Sequence, residues 1–146
     1  MVKRKVNYDE SKESATEFAG RMDGMKTDLP PDLQWKLMLG SFIHEFSRLE
    51  AHVFILCARC IGTDDTRKLT FGKRLDRIKA SLKQQSPQSS EGMLALLREA
   101  RGLAEFRNAL LHNTAFHGMG GSAPRLEEVE ARLQQLEVLL QALALA

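Results

Sequence analysis

Apolar side chains return at steps of four and three along most of this chain. From about Asp32 to Ile61 the recurring positions are Trp35, Leu39, Phe42, Phe46, Leu49, Val53, Leu56 and Cys60. That spacing keeps all eight on one side of a helix, whereas a strand would need a period of two. The stretch "LPPD" (29–32) marks the entry, with Pro30 and Pro31 suited to a helix start, and "GTDD" (62–65) marks the end. A second helix is predicted from Thr70, whose hydroxyl suits an N-cap. It carries Phe71, Leu75, Ile78 and Leu82 until "SPQSS" (86–90) stops it. A third runs from about Ser90 to Asn113. The glycine-rich loop "TAFHGMGGSAP" (114–124) separates it from a fourth, which starts near Pro124 and repeats Leu126, Val129, Leu133, Leu136, Leu140 and Leu143.

Four amphipathic helices joined by connections of roughly 4–11 residues favour antiparallel neighbours. The expected fold is all-α, an up-down four-helix bundle over residues 30–146. Residues 1–29 are polar and weakly periodic. They read as an arm in which "DESKESATEFAGRMDGM" could form a short helix, weakened by Gly20 and Gly24. The last helix becomes apolar nearly all round in "VLLQALALA". Such a face predicts burial against another subunit or the arm.

Composition narrows the function classes. With 146 residues the chain is long enough for one domain with a real core. An apolar share of 43% is ordinary for a globular protein. No apolar run approaches the length that would suggest a membrane span. "MVKRKVNYDE" is basic but has no apolar stretch behind it, so it does not read as a secretory signal, and a cytoplasmic address is expected. The two cysteines, in "CARC" (57–60), lack the second pair or the histidines of a zinc site. They read as small side chains on a helix. No glutamate is followed three residues later by histidine, so the di-iron bundle pattern is missing. His44 and His52 share one side of the first helix and read as surface or half-buried side chains. "GMGGSAP" lacks the Lys-Ser/Thr ending of a phosphate loop. Neither a metal nor a cofactor is expected.

The chemistry concentrates in "EFRNALLHN", Glu105 to Asn113. Leu96, Ala100, Leu103 and Leu110 form one core row of the third helix, and Arg107 falls in its gap. The parallel row is Leu97, Ala104, Asn108 and Leu111. An unpaired buried guanidinium costs several kcal/mol, so Arg107 needs a partner or a cleft. His112 lies one turn beyond Asn108 on the same side. Two readings fit. In one, Arg107 pairs with an acid, Asn108 ties two helices together, and His112 caps the terminal carbonyls. In the other, the three face a substrate. Glu50, at the edge of the first helix's apolar face, is the candidate partner for Arg107.

"FRNALLHN" resembles the signature of the HEPN superfamily: an arginine, often followed by a polar residue, then a histidine, in the form R-x4–6-H. Here it runs from Arg107 through Asn108 to His112. The surroundings agree. An acid-bearing first helix ("HEFSRLEAH") is followed by a shorter one ("TFGKRLDRIKASL") and then by the helix ending in the motif. The resemblance covers about residues 33–142 and implies an HEPN-like four-helix domain. It also implies a metal-independent endoribonuclease, commonly a homodimer whose two motifs share a cleft. Such proteins often act as toxins or defence effectors beside a nucleotidyltransferase-like antitoxin. Other members keep the fold and only bind, so the alternative is a non-catalytic module for nucleotide, RNA or protein.

The reaction so implied suits these residue types. Attack by a ribose 2′-hydroxyl on the adjacent phosphate needs a base near neutrality, and an unperturbed histidine titrates near 6.5. It also needs a fixed cation, which arginine's planar fork supplies. The expected roles are general acid/base for His112, phosphate stabilisation for Arg107, orientation for Asn108, and support from Glu50. Charge distribution adds an RNA-facing candidate. The chain is +2 overall, but residues 67–83 hold seven cations against Asp76 alone, a local +6. From Arg125 onward two arginines meet four glutamates, a local −2. Lys73, Arg74 and Arg77 are the candidate phosphate contacts, with His117 in the following loop; the competing reading is a solvated helix face. Aromatic stacking platforms are not evident. The single tyrosine is Tyr8, and the single tryptophan lies on the core stripe.

Overall fold

In a computed structural model, residues 29–86, 88, 90–115 and 125–145 are described. They form five helices: α1 (Pro31–Ile61), α2 (Thr63–Arg67), α3 (Phe71–Gln85), α4 (Glu91–Ala115) and α5 (Leu126–Leu145). No strand occurs among the described residues. The fold is an all-α helical bundle. The N-terminal arm, apart from Leu29, and His117 lie outside the described residues. By packing, the chain divides after Gln34; the core below belongs to residues 35–146.

The opening of α1 follows from its prolines. Pro31 has no amide to leave unsatisfied, and the Pro30 carbonyl accepts the amides of Leu33 and Gln34 at 2.9 and 3.0 Å. Gln34 Nε2 donates to the Leu29 carbonyl at 2.6 Å. At the other end the expected stop is a sharper device than a loop. Gly62 sits at φ 88°, where an L side chain is strained, and the chain turns at once into α2. Thr66 is buried there and donates its hydroxyl to the Gly62 carbonyl at 2.7 Å. Arg74 Nε donates to the Thr66 carbonyl at 3.2 Å, and its guanidinium lies 5.1 Å from the centre of the Phe54 ring.

This corner carries the chain back along α1. The Phe71 ring, first in α3, lies 5.4 Å from that of Phe46. Phe46 is roughly 22 Å upstream of Ile61 at the helical rise, so α3 begins beside the middle of α1. Thr70 stands at the N-cap position as expected, but its side chain makes no capping bond. Gly72 and Asp76 meet Arg101 of α4, and the start of α3 shares a cleft with Asn108. Numbers therefore rise along α3 as they fall along α4, which makes the two antiparallel.

Three expected rows shift. On α1 the fully buried line is Met38, Phe42, Phe46, Leu49, Val53 and Cys57. Trp35, Leu39 and Leu56 only flank it, and Cys60 is exposed. On α4, Phe106 fills the gap between Leu103 and Leu110 and is 8% exposed. Arg107 is thereby displaced to the edge of the core, and Asn108 and Leu111 lie outside it. On α5, Leu139 joins the buried set, while Val138 and Leu145 are 65% and 90% exposed. Rings hold the centre together. Phe106 meets Phe42 edge-on at 5.4 Å, Phe42 stacks on Phe46 at 6.2 Å, and Arg132 of α5 lies 5.5 Å from the centre of Phe106. Each such aromatic pair contributes about 0.5–1.5 kcal/mol beyond its buried area. Among the described residues no helix is long and apolar enough to cross a membrane.

Candidate functional site

Arg107 follows Phe106 on α4, so the core fixes where its side chain starts. The guanidinium then lies 4.6 Å from the centre of the Phe46 ring. Nη1 donates to Glu50 Oε1 at 3.4 Å. Phe46 and Glu50 are one turn apart on α1 and together form a seat, apolar beneath and acidic at the rim. The side chains of Arg107 and Glu50 are 24% and 38% exposed. A contact of 3.4 Å is long for a charge-assisted bond, which is usually 2.7–2.9 Å. Glu50 therefore orients the fork without clamping it. Arg107 Nε is buried and has no hydrogen-bond partner among the described residues.

Beside this seat opens a cleft of about 300 Å³. Thr70, the N-cap of α3, lines it with Phe71, Gly72 and Leu75 of α3, and Arg101, Ala104, Glu105, Arg107 and Asn108 line it from α4. Arg101 is matched by Asp76, with Nη2 to Oδ1 at 2.6 Å, and also reaches the Gly72 carbonyl at 3.4 Å. Glu105 is exposed and has no ion-pair partner among the described residues. Asn108 and His112 are both exposed on the last two turns of α4, at the four-residue spacing that puts them on one side.

The structure thus joins Arg107 to Glu50 and sets Asn108 on the rim of the same cleft. It turns Arg107 toward α1, about 140° around the helix from His112. The basic candidates separate as well. Lys73 and Arg77 are exposed, whereas Arg74 is half-buried and bonded to the corner before α3. Cys57 and Cys60 are free thiols. Among the described residues no group of three His, Cys, Asp or Glu side chains converges as a metal site would.

Sequence reasoning missed Phe71, Arg101 and Glu105 as parts of the cleft. A signal was present for two of them. Arg101, Glu105, Asn108 and His112 recur at steps of four, three and four, a polar row at helical period. Phe71 gave none, because it also belongs to the apolar stripe of α3.

No family model matches the chain, and no curated protein or solved structure matches it.

Proposed function

We propose that this protein is a metal-independent endoribonuclease of the HEPN type, with its chemistry at the end of α4. The observation that carries this reading is the seated Arg107, held by Phe46 and Glu50 at the wall of an open cleft it shares with Asn108. A cation fixed before substrate arrives can stabilise phosphate charge without reorganising during the reaction. In the proposed step a base removes the proton of a 2′-hydroxyl, and the 2′-oxygen bonds to phosphorus. The bond to the 5′-oxygen breaks, and an acid protonates that leaving oxygen. The products are a 2′,3′-cyclic phosphate and a 5′-hydroxyl.

His112 is the base or the acid, and Asn108 orients it or donates to a phosphate oxygen. One imidazole does not serve both ends of a single displacement. A homodimer supplies the second His112, and its Arg107 and Asn108 complete a shared site. The HEPN resemblance further implies a toxin or defence effector, with a nucleotidyltransferase-like antitoxin as partner and RNA as target.

One observation favours the alternative, a non-catalytic module that binds RNA, nucleotide or protein: Arg107 already has an acidic partner in Glu50. Cleavage of a mixed RNA pool in EDTA separates the two. Wild type should yield fragments with 2′,3′-cyclic ends, and His112→Ala and Arg107→Ala should not while remaining folded. If all three proteins are inert and equally folded, the binding module is the correct reading.

A further inference from the structure

Away from its Arg107 edge, the cleft suits a base better than a phosphate. Its two arginines are each matched, Arg101 by Asp76 at 2.6 Å and Arg107 by Glu50 at 3.4 Å. That leaves Glu105 as the charged lining residue without an ion pair among the described residues. Phe71 and Ala104, with the buried Leu75 behind them, give the cleft an apolar side, and its volume of about 300 Å³ is at the small end for a ligand pocket. A flat, neutral group that offers N–H donors to a carboxylate fits this side better than an anion does.

We propose that this cleft holds a guanine base of the RNA strand, read by Glu105 and Asn108 against the apolar side of Phe71 and Ala104. Guanine alone among the four RNA bases presents two adjacent donors, N1–H and the 2-amino group, on its pairing edge. A carboxylate accepts both at once. Adenine and cytosine each place a ring acceptor beside their amino group, and uracil offers one donor between two carbonyls, so each meets Glu105 with a lone pair opposed. Asn108, three residues beyond Glu105 and on the same cleft, supplies an amide donor for O6. Base selection next to the Arg107 and His112 chemistry would then decide where a strand is cut. This last consequence rests on the nuclease reading; the pocket itself does not.

Binding of 5′-GMP, 5′-AMP and 5′-UMP to the full chain, measured by calorimetry, is the test. GMP should bind at least about tenfold more tightly than either competitor, as expected for a two-bond contact. Glu105→Gln should bring the GMP/AMP ratio to within about twofold with an unchanged circular dichroism spectrum. Ala104→Leu, which fills the cleft, should remove binding of all three. Equal affinities, no binding at millimolar nucleotide, or a preference that survives Glu105→Gln would overturn the proposal. A 2′-O-methylated hexamer with a single guanine distinguishes strand from free nucleotide. It should bind more tightly than GMP, and affinity no better than GMP would overturn the assignment to RNA. GMP selectivity in a protein that cuts no RNA would retire the nuclease and keep the pocket. Cutting without base preference would do the reverse.

Discussion

Arg101 and Arg107 lie six residues apart on α4, line one cleft, and each faces one carboxylate. The shorter contact belongs to Arg101, 2.6 Å from Asp76 against 3.4 Å from Glu50 for Arg107. Distance alone would make Arg101 the more important residue. Surroundings argue the opposite. The side chains of Arg101 and Asp76 are 46% and 65% exposed, so water and salt screen the pair, and such surface pairs contribute about 0–1 kcal/mol. Arg107 is three-quarters buried, rests on a core phenylalanine, and has a buried Nε with no partner among the described residues. On the proposed reading, the rest of that fork is what the cleft uses. Arg101 belongs to an exposed surface pair, and Arg107 is the cation that the proposed reading uses.

The difference can be broken from the larger side first. Phe46→Ala removes both a fully buried ring and the floor under Arg107. It should destabilise the fold by about 3–5 kcal/mol, read from urea unfolding. A loss below 1 kcal/mol would mean that the ring neither fills the core nor seats the arginine. Arg101→Ala should cost no more than about 0.5–1 kcal/mol, and that small loss should shrink further between low and high salt. A larger loss that salt does not change would place Arg101 in the fold's framework and dissolve the contrast.

The long helices were legible because their stripes are long and clean. Leu75 and Ile78 of α3, and Val129, Leu136, Leu140 and Leu143 of α5, are buried where the period puts them. The pairing of Arg107 with Glu50 was also readable, since a cation beside a core row needs an acid within reach. What could not be read were facts that depend on rotation and return. A stripe alone does not say which of Cys57 and Cys60 faces inward on a helix of 31 residues, and the structure buries the first. Nor does the charge of "GKR" show that Arg74 bonds to the Thr66 carbonyl while Lys73 stays in solvent. The cleft was hidden for a related reason. It forms because the corner at Gly62 to Leu69 sends α3 back beside the middle of α1, and the Thr66 and Arg74 bonds at that corner belong to no apolar period.

The most direct measurement is the rate of RNA cleavage in EDTA by two conservative variants, Arg107→Lys and Arg101→Lys, beside wild type. Lysine keeps the charge and loses the planar fork. The expected result is a loss of about a hundredfold or more for Arg107→Lys, the scale of removing one preorganised donor from a transition state, and at most about tenfold for Arg101→Lys. Equal losses, or the larger loss at Arg101, would contradict the assignment of the cleft's reactive cation to Arg107.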